Sequence, residues 1–273
     1  MNTLEVSKLR IWDSLTDTIL VKDSSFQIKS ESCLAIVGES GCGKSVTCRA
    51  IMRLNRANLR QSGSIKLNGM NLGGLSEHEM RKQRGRQLCL IMQNGMRAFD
   101  PSSIVGNHFK ETLKQHYGWS HTEITAKMAG AMESVMLKDP VTLMNKYPHQ
   151  LSGGMLQRMM IALAIVLKPT LIIADEPTSA LDTLSQYEVM EQLLSLKAES
   201  GCSMIFVSHD LGAVKRIADD IVVMKDGEIV ERGAAAEVFT NTRHAYTKYL
   251  LEAKQALNSH FIQSMGGLEL VDR

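Results

Sequence analysis

The stretch that decides the fold is Gly38-Glu39-Ser40-Gly41-Cys42-Gly43-Lys44-Ser45. It follows the apolar run 34–37, which predicts a buried strand, and it precedes residues 46–54, whose spacing predicts a helix. Strand, glycine-rich turn and helix form the context of a phosphate-binding loop, because glycines let successive backbone N–H groups face one anion and the helix adds its positive end. We therefore predict that the residues from Gly38 through Val46 bind a nucleotide, with Lys44 on the β- and γ-phosphates and Ser45 on Mg²⁺.

Composition narrows the classes of protein that the chain can belong to. Its 273 residues carry a formal net charge of +2, so no global field points to nucleic acid or to an anionic membrane. The longest unbroken apolar run, 159–167, is much shorter than the roughly 20 residues that span a bilayer. The N-terminus lacks a signal-peptide pattern, and the five cysteines are dispersed without metal-ligand spacing. We expect a soluble, cytosolic chain without disulfides or structural zinc.

The N-terminal third is predicted to be rich in strands. Residues 3–11 and about 19–29 alternate as antiparallel strands do, and 63–69 predicts a strand that ends in an Asn-Gly turn. Trp12 is placed where its ring could stack on a nucleobase, but packing on its own domain as an edge-strand tryptophan is equally compatible with the pattern. The polar segment 76–86 is typical of a solvated helix.

A second buried strand, 88–92, ends in Gln93. A glutamine at the carboxyl end of such a strand faces the nucleotide crevice, where it can contact Mg²⁺ and the attacking water. From about residue 97 to 167 the pattern is helical only. We interpret this segment as a helical insert in an α/β domain, with no Gly- or Ser-rich linker at its ends.

The insert contains a second glycine motif, Leu151-Ser152-Gly153-Gly154-Met155-Leu156-Gln157-Arg158, just before an apolar helix. Ser followed by two glycines at a helix start can be a second anion-binding helix N-terminus. A simple N-cap with a flexible turn explains the same residues. Taken alone, the motif favours the simple N-cap.

Acidic and imidazole side chains follow the next two predicted strands. Residues 171–174 lead into Asp175 and Glu176, which suit Mg²⁺ coordination and general-base catalysis respectively. Two adjacent acids can also cap a helix or face solvent, but their pairing with Lys44 favours catalysis. The strand 204–208 ends at His209, which can contact the γ-phosphate. Further on, 220–225 and 228–232 predict a hairpin through Asp-Gly, helices are expected at 235–240 and 244–258, and 263–273 reads as a loose tail.

Together these residues resemble the nucleotide-binding subunits of ABC transporters. GESGCGKS is similar to Walker A, Gln93 to the Q-loop, LSGGMLQR to the signature, LIIADE to Walker B, SALD to the D-loop and His209 to the switch histidine. The resemblance implies an α/β P-loop ABC domain over residues 1–258, with a RecA-like core, an antiparallel β subdomain and a helical subdomain at about 97–167. Residues 259–273 would form a C-terminal tail.

The resemblance also implies partners. Similar proteins pair head to tail, so Ser152, Gly153 and Gly154, with Gln157 and Asp182, would meet ATP and Mg²⁺ held by the other subunit. The second ATPase subunit is expected to be a different chain. Two transmembrane permeases and an extracellular or periplasmic substrate-binding protein would complete an importer, with this chain peripheral on the cytoplasmic face of the membrane and without nucleic acid.

Two further segments narrow the resemblance. Residues 97–106 are similar to a segment of oligopeptide, dipeptide and nickel importers, and 244–250 to their C-terminal HPYT element, with Ala245 in place of proline. The D-type ATPases of nickel and metallophore import systems are most similar, which implies nickel or a nickel/cobalt/zinc–metallophore complex as cargo. Oligopeptide or dipeptide import is the alternative. No cysteine follows Cys202, so the iron–sulfur cluster of some peptide-type relatives cannot form.

Other ABC ATPases fit the sequence less well. Repair and chromosome-organising ATPases insert long coiled coils, translation factors carry two cassettes, and non-hydrolysing subunits lose elements that are intact here. Cys42, close to a helix N-terminus, is expected to have a stabilised thiolate that ATP protects from reagents.

Overall fold

A computed structural model describes residues 2–253 of the chain. Its ten strands are β1 (Asn2–Asp13), β2 (Ile19–Lys29), β3 (Cys33–Val37), β4 (Leu59–Leu67), β5 (Met70–Asn71), β6 (Leu88–Ile91), β7 (Leu171–Asp175), β8 (Ser203–Val207), β9 (Asp220–Lys225) and β10 (Glu228–Ala234). They form two sheets, a four-stranded one in the order β2-β1-β4-β5 and a six-stranded one in the order β10-β9-β3-β8-β7-β6. The predicted α/β fold is confirmed.

The six-stranded sheet is parallel except for β10, which pairs with β9 antiparallel. Its central strands are continuous apolar runs because both faces are covered. In β3, Cys33, Ala35 and Val37 belong to the core shared with the helical region, whereas Leu34 and Ile36 belong to the core shared with the four-stranded sheet. One sheet therefore separates two hydrophobic cores.

The helices connect and cover these strands. They are α1 (Lys44–Ile51), α2 (Glu77–Gln83), α3 (Val105–Tyr117), α4 (His121–Ser134), α5 (Pro140–Met144), α6 (Gly153–Leu167), α7 (Thr183–Ser200), α8 (Leu211–Ile217) and α9 (Ala235–Thr240), and residues 245–253 are helical as well. Short 3₁₀ turns lie at Leu72–Gly74, Gly95–Ala98 and Pro148–Gln150. None of the helices within 2–253 is long and apolar enough to cross a membrane.

Most predicted elements lie where the sequence placed them, with shifted ends. The hairpin between β9 and β10 turns through Asp226 and Gly227, which have φ of 48° and 81°, the left-handed values that an Asp-Gly turn allows. Helix α1 begins at Lys44 rather than at 46, because the end of the glycine loop already forms the first turn. The predicted end of the domain at 258 and the tail 259–273 lie outside the described residues.

Between β6 and β7 the described chain contains helices and turns only. Helix α6 packs against α4 and α7, and its fully buried side chains, among them Leu156, Met159 and Ile161, join the core that reaches the six-stranded sheet. The helical region and the sheet thus share one core. The first turns of α6 lie beside the carboxyl end of β6, since the Gln157 side chain contacts the carbonyl oxygen of Met92.

Candidate functional site

Four parallel strands end at one edge of the six-stranded sheet, and each is followed by a residue singled out in the sequence. The phosphate-loop segment follows β3, Gln93 follows β6, Glu176 follows β7 and His209 follows β8. Because β3, β8, β7 and β6 are consecutive neighbours and parallel, their carboxyl ends lie side by side. This edge is where α/β sheets bind ligands.

The glycine loop is shaped by backbone conformations that other residues resist. Gly38 has φ of 152°, and a Cβ there would lie 2.2 Å from the carbonyl oxygen of Met224. Gly41 and Gly43 are also left-handed, with φ of 84° and 105°. Lys44 is 4% exposed, and its Nζ donates to the carbonyl oxygens of Gly38 (2.8 Å) and Glu39 (2.7 Å). The lysine ammonium therefore lies inside the curve of the loop.

A pair of oxygen groups connects α1 to β7. The hydroxyl of Ser45 donates to Oδ1 of Asp175 at 2.8 Å. Burial raises the pKa of Asp175, and the hydrogen bond from Ser45 offsets part of that shift. A hydroxyl and a carboxylate in contact are hard oxygen ligands of the kind that Mg²⁺ prefers. The residues present fit the Mg²⁺ expected with a nucleoside triphosphate.

Glu176 is held in an unusual backbone conformation. Its φ is +47°, in the left-handed region, and its N–H donates to Val207 O at 3.0 Å on the neighbouring strand. Such strain costs on the order of 1–3 kcal/mol and persists where the surroundings fix it. Gln93 Nε2 donates to Oε2 of Glu176 at 3.1 Å, and His209 Nδ1 lies 3.7 Å from the same oxygen. Three residues from three strand ends therefore meet at one carboxylate.

The signature segment forms the N-terminus of α6. The Ser152 side chain accepts a hydrogen bond from Met155 N at 3.2 Å, which is the N-cap that the sequence allowed. Ser152 and Gly153 are exposed, whereas Gly154 is buried, and a Cβ there would lie 2.7 Å from Ser185 Oγ. Asp182 is exposed and caps α7 by accepting from Ser185 N. The exposed Ser152 and Gly153 leave this helix end open toward an external ligand.

The structure corrects the expectation for Gln157. Its side chain is fully buried, and its Nε2 donates to the carbonyl oxygen of Met92 at 3.0 Å. A side chain without exposed surface cannot contact a nucleotide held by another subunit. Gln157 instead joins α6 to the residue that precedes Gln93.

Cys42 is a second correction. Its side chain is 6% exposed, and burial raises the pKa of its thiol, although the neighbouring Lys44 acts in the opposite direction. The expected stabilised thiolate at this helix N-terminus is therefore wrong, since desolvation outweighs the helix and the lysine. Trp12 is half-buried near the end of β1, where it pairs with Ile19 and Arg60 in the sheet, and stacking of its ring on a base stays a prediction.

Two side chains whose contacts were not predicted from the sequence also lie at the site. Ser179 Oγ accepts from Gln93 Nε2 at 3.0 Å and donates to the backbone carbonyl oxygen of Glu176 at 3.1 Å, so it helps to fix the Gln93 amide beside Glu176. Tyr246 places its hydroxyl 3.1 Å from Glu39 N. Both contacts arise from tertiary packing, although the position of Ser179 just after the two acids was a usable signal.

Together, the parallel sheet and the groups at its edge define a P-loop ATPase. The ABC transporter family model matches residues 21–179. The chain is 47% identical over 267 residues to the metal-staphylopine import system ATP-binding protein CntD of Staphylococcus aureus, with 98% of each chain covered. It is 39% identical to the dipeptide transport ATP-binding protein DppD of Lactococcus lactis subsp. cremoris, with 89% of this chain and 70% of that one covered.

A solved structure gives the same result for the fold. The dimeric ATP-binding cassette MJ0796, in a post-hydrolysis state bound to ADP and Pi, superposes with a TM-score of 0.75 at 25% identity, covering 85% of this chain and 98% of that one. The chain belongs to the ABC transporter family, and it is an ATPase of that family. The predicted family, fold and ATP-dependent activity are confirmed.

Proposed function

We propose that this chain hydrolyses ATP to drive an ABC importer of nickel or of a nickel/cobalt/zinc–metallophore complex. The observation that carries the cargo assignment is the 47% identity to CntD over 98% of both chains, since CntD serves metal-staphylopine import. The peptide-importer relatives are 39–40% identical and cover 84–89% of this chain. Likeness along the whole chain favours the metal complex.

ATP binding is proposed to begin with an exchange of partners at Lys44. In the present structure its ammonium is held by two loop carbonyls, Gly38 O and Glu39 O. Phosphate oxygens are stronger acceptors because a charge-assisted hydrogen bond joins two ions. The loop N–H groups and the start of α1 would hold the same phosphates.

Ser45 and Asp175 are proposed to hold Mg²⁺, with Gln93 as a further oxygen ligand. Mg²⁺ supplies neutralisation of charge on the β- and γ-phosphates. Asp175 must be ionised for this role. Burial raises its pKa because the charged form is desolvated, and a bound cation would stabilise that charged form.

Glu176 is proposed to be the general base. The Gln93 amide and the His209 ring both approach Oε2 of Glu176. Its Oε1 can therefore take a proton from the attacking water. Gln93 orients the carboxylate and the water, and His209, whose side chain is half exposed, contacts the γ-phosphate from the adjacent strand end. The strained backbone of Glu176 is proposed to fix the direction of its side chain toward the neighbouring strand ends.

The second half of each ATP site is proposed to come from another subunit. Ser152, Gly153 and Gly154 form an open helix N-terminus in this chain, which suits an anion held elsewhere. The family neighbour MJ0796 was solved as a dimer with ADP and Pi. We propose a head-to-tail pair with a second, different ATPase subunit, in which Asp182 lies beside the shared nucleotide.

The remaining partners are proposed from the family. Two permeases would receive the ATPase pair on the cytoplasmic face of the membrane, and a substrate-binding protein would deliver the cargo. The segment 93–106, which exposes Met96, Arg97 and Asp100, is the proposed contact for a permease. This segment begins at Gln93, so a permease there would sense the same residue that touches the base.

The second candidate function is oligopeptide or dipeptide import. It is favoured by the similarity to DppD of L. lactis and to other peptide import proteins. The catalytic account is the same for both cargoes, because an ATPase subunit does not touch the cargo.

The test of cargo is uptake in the native cell with this gene deleted. Radiolabelled nickel is supplied with the cell's own metallophore, nickel is supplied alone, and a labelled dipeptide is supplied in parallel. We expect deletion to remove metallophore-dependent nickel uptake and to leave dipeptide uptake unchanged, with recovery when the gene is restored. Normal nickel uptake together with lost dipeptide uptake would show that the cargo is a peptide and not a metal complex.

A further inference from the structure

A C-terminal tyrosine outside the recognised ATPase motifs contacts the phosphate loop. Tyr246 is 8% exposed, and its hydroxyl accepts a hydrogen bond from the backbone N–H of Glu39 at 3.1 Å. Glu39 is the second residue of the glycine loop, 207 positions earlier in the chain. The contact therefore depends on the complete fold of the α/β domain.

The start of the C-terminal helix is fixed so that Tyr246 faces the loop. The carboxylate of Glu231 on β10 accepts from the backbone N–H groups of Arg243 (2.8 Å) and His244 (3.2 Å). The ring Nδ1 of His244 then accepts from Tyr246 N at 3.2 Å, so that it caps helix 245–253. Lys225 Nζ lies 5.0 Å from the centroid of the Tyr246 ring, which holds the ring against β9.

The loop is thus held from behind at two points. Gly227, in the turn between β9 and β10, donates to Cys42 O at 3.2 Å and secures the second half of the loop. Tyr246 secures the first half through Glu39 N. Lys44 also holds the first half at present, through the carbonyl oxygens of Gly38 and Glu39.

Binding of ATP would change which contacts hold the first half of the loop. When Lys44 turns to the phosphates, the first half of the loop loses both bonds from its ammonium. The bond from Glu39 N to Tyr246 involves neither the lysine nor those carbonyls, so it can remain. An ordered loop then costs less conformational entropy when the nucleotide binds.

We propose that Tyr246 is a positioning residue of the ATP site, which keeps the first half of the phosphate loop in its binding conformation after Lys44 has moved to the nucleotide. The proposal rests on nucleotide binding by the loop at 38–46. It gives the element at 244–247 a role in ATP affinity rather than only in packing.

The test replaces Tyr246 with Phe in the full chain, which keeps the ring and removes the acceptor. Tyr249→Phe is the matched control, because Tyr249 lies on the same helix and is 58% exposed. ATP affinity is measured by titration with a fluorescent ATP analogue, and steady-state ATPase assays give kcat and KM. We expect Kd and KM to rise about 3- to 10-fold in Tyr246→Phe, the range of one net hydrogen bond, with kcat and the control unchanged.

Amide exchange provides a readout that packing alone would not move. In the ATP-bound wild type, the Glu39 N–H should exchange slowly, and in Tyr246→Phe it should exchange faster while the amides of β3 keep their protection. Wild-type Kd and unchanged exchange at Glu39 in Tyr246→Phe would overturn the proposal, as would a fall in melting temperature without a change in Kd. If the wild type itself failed to bind the analogue, the nucleotide site would be refuted instead.

Discussion

Glu176 is the proposed general base of the site. Replacing it with Gln keeps the size and the contact with Gln93 but removes the proton acceptor. We expect the hydrolysis rate to fall by roughly 10²–10⁴, the usual contribution of a general base, with ATP affinity retained. Phosphate release and ATP binding measured on the same preparation separate the two effects. Unchanged turnover would remove Glu176 from the role of base.

The ionised carboxylate of Asp175 is predicted to lower the stability of the nucleotide-free fold, although the proposed Mg²⁺ site needs it. Its folded pKa is raised above the ordinary 3.8 by burial, so the folded state holds the proton more tightly than the unfolded state. The protonated carboxyl therefore stabilises the fold at low pH, and that contribution to the free energy of unfolding is lost as the pH rises through the folded pKa. Asp175→Asn, whose Oδ1 can still accept from Ser45, should therefore raise the melting temperature of the nucleotide-free protein by a few degrees at pH 7.

Two comparisons check that expectation for Asp175→Asn. The gain in melting temperature should shrink as the pH falls through the raised folded pKa, and it should vanish at about pH 3, below the ordinary value of 3.8, where the wild-type carboxyl is protonated in both states. With ATP and Mg²⁺ the order should reverse, because the variant loses the ligand of the cation. A variant that is less stable than the wild type at pH 7 without nucleotide would contradict the assigned pKa direction.

Cys42 should react slowly despite its place in the loop. Burial raises the pKa of its thiol, so less thiolate is present at pH 7 than for a free cysteine. We expect alkylation by iodoacetamide, mapped to Cys42 by mass spectrometry, to be slower than that of free cysteine at pH 7 and to accelerate at pH 9. ATP should slow it further. Reaction at pH 7 as fast as free cysteine would contradict the buried thiol.

At the scale of elements, Gln157 tests how α6 is joined to the segment after β6. Gln157→Leu fills a similar volume but leaves the carbonyl oxygen of Met92 without its donor. A buried acceptor without a partner costs about 1–3 kcal/mol. The variant also removes Gln157 Oε1, a buried acceptor that has no partner within the described residues, so urea unfolding should show a loss near the lower end of that range. The Kd for ATP should stay at the wild-type value, since Gln157 is fully buried. A large loss of affinity without a loss of stability would restore it as a nucleotide ligand.

The elements themselves could largely be predicted. Apolar runs such as those of β3 and β7 are bounded by turn residues, and their order along the chain places Gln93, Glu176 and His209 at strand ends. What failed depends on packing. The burial of Gln157 follows from how α6 lies against the residues after β6, where a Cβ on Gly95 would lie only 2.9 Å from Leu156 Cβ.

Residues far apart in sequence set the rest of the local geometry. The left-handed backbone of Glu176 is fixed by Val207 on β8, and the contact of Tyr246 with the loop requires Glu231 on β10 to place the C-terminal helix. No pattern within either segment specifies such a partner. The sequence therefore predicted that Gln93, Glu176 and His209 lie at strand ends, but not which neighbours fix them.

At the scale of the whole molecule, the two cores give the site its architecture. One core joins the six-stranded sheet to the four-stranded sheet and α1, and the other joins it to the helical region that carries the start of α6. The phosphate loop and the open helix end thus belong to one folded unit but are proposed to act on different nucleotides. Under that proposal the unit needs a partner to complete each nucleotide site, and ATP would then control assembly.

We propose that ATP hydrolysis, with Glu176 as the general base, drives import of a nickel complex. The most direct measurement is uptake of radiolabelled nickel, supplied with the native metallophore, in cells whose only copy of this gene carries Glu176→Gln. Glu133→Gln, an exposed position on α4, is the matched control, and both variants are checked for equal abundance. The account predicts uptake at the level of the deletion strain for Glu176→Gln and at the wild-type level for the control. Wild-type uptake with Glu176→Gln would contradict it.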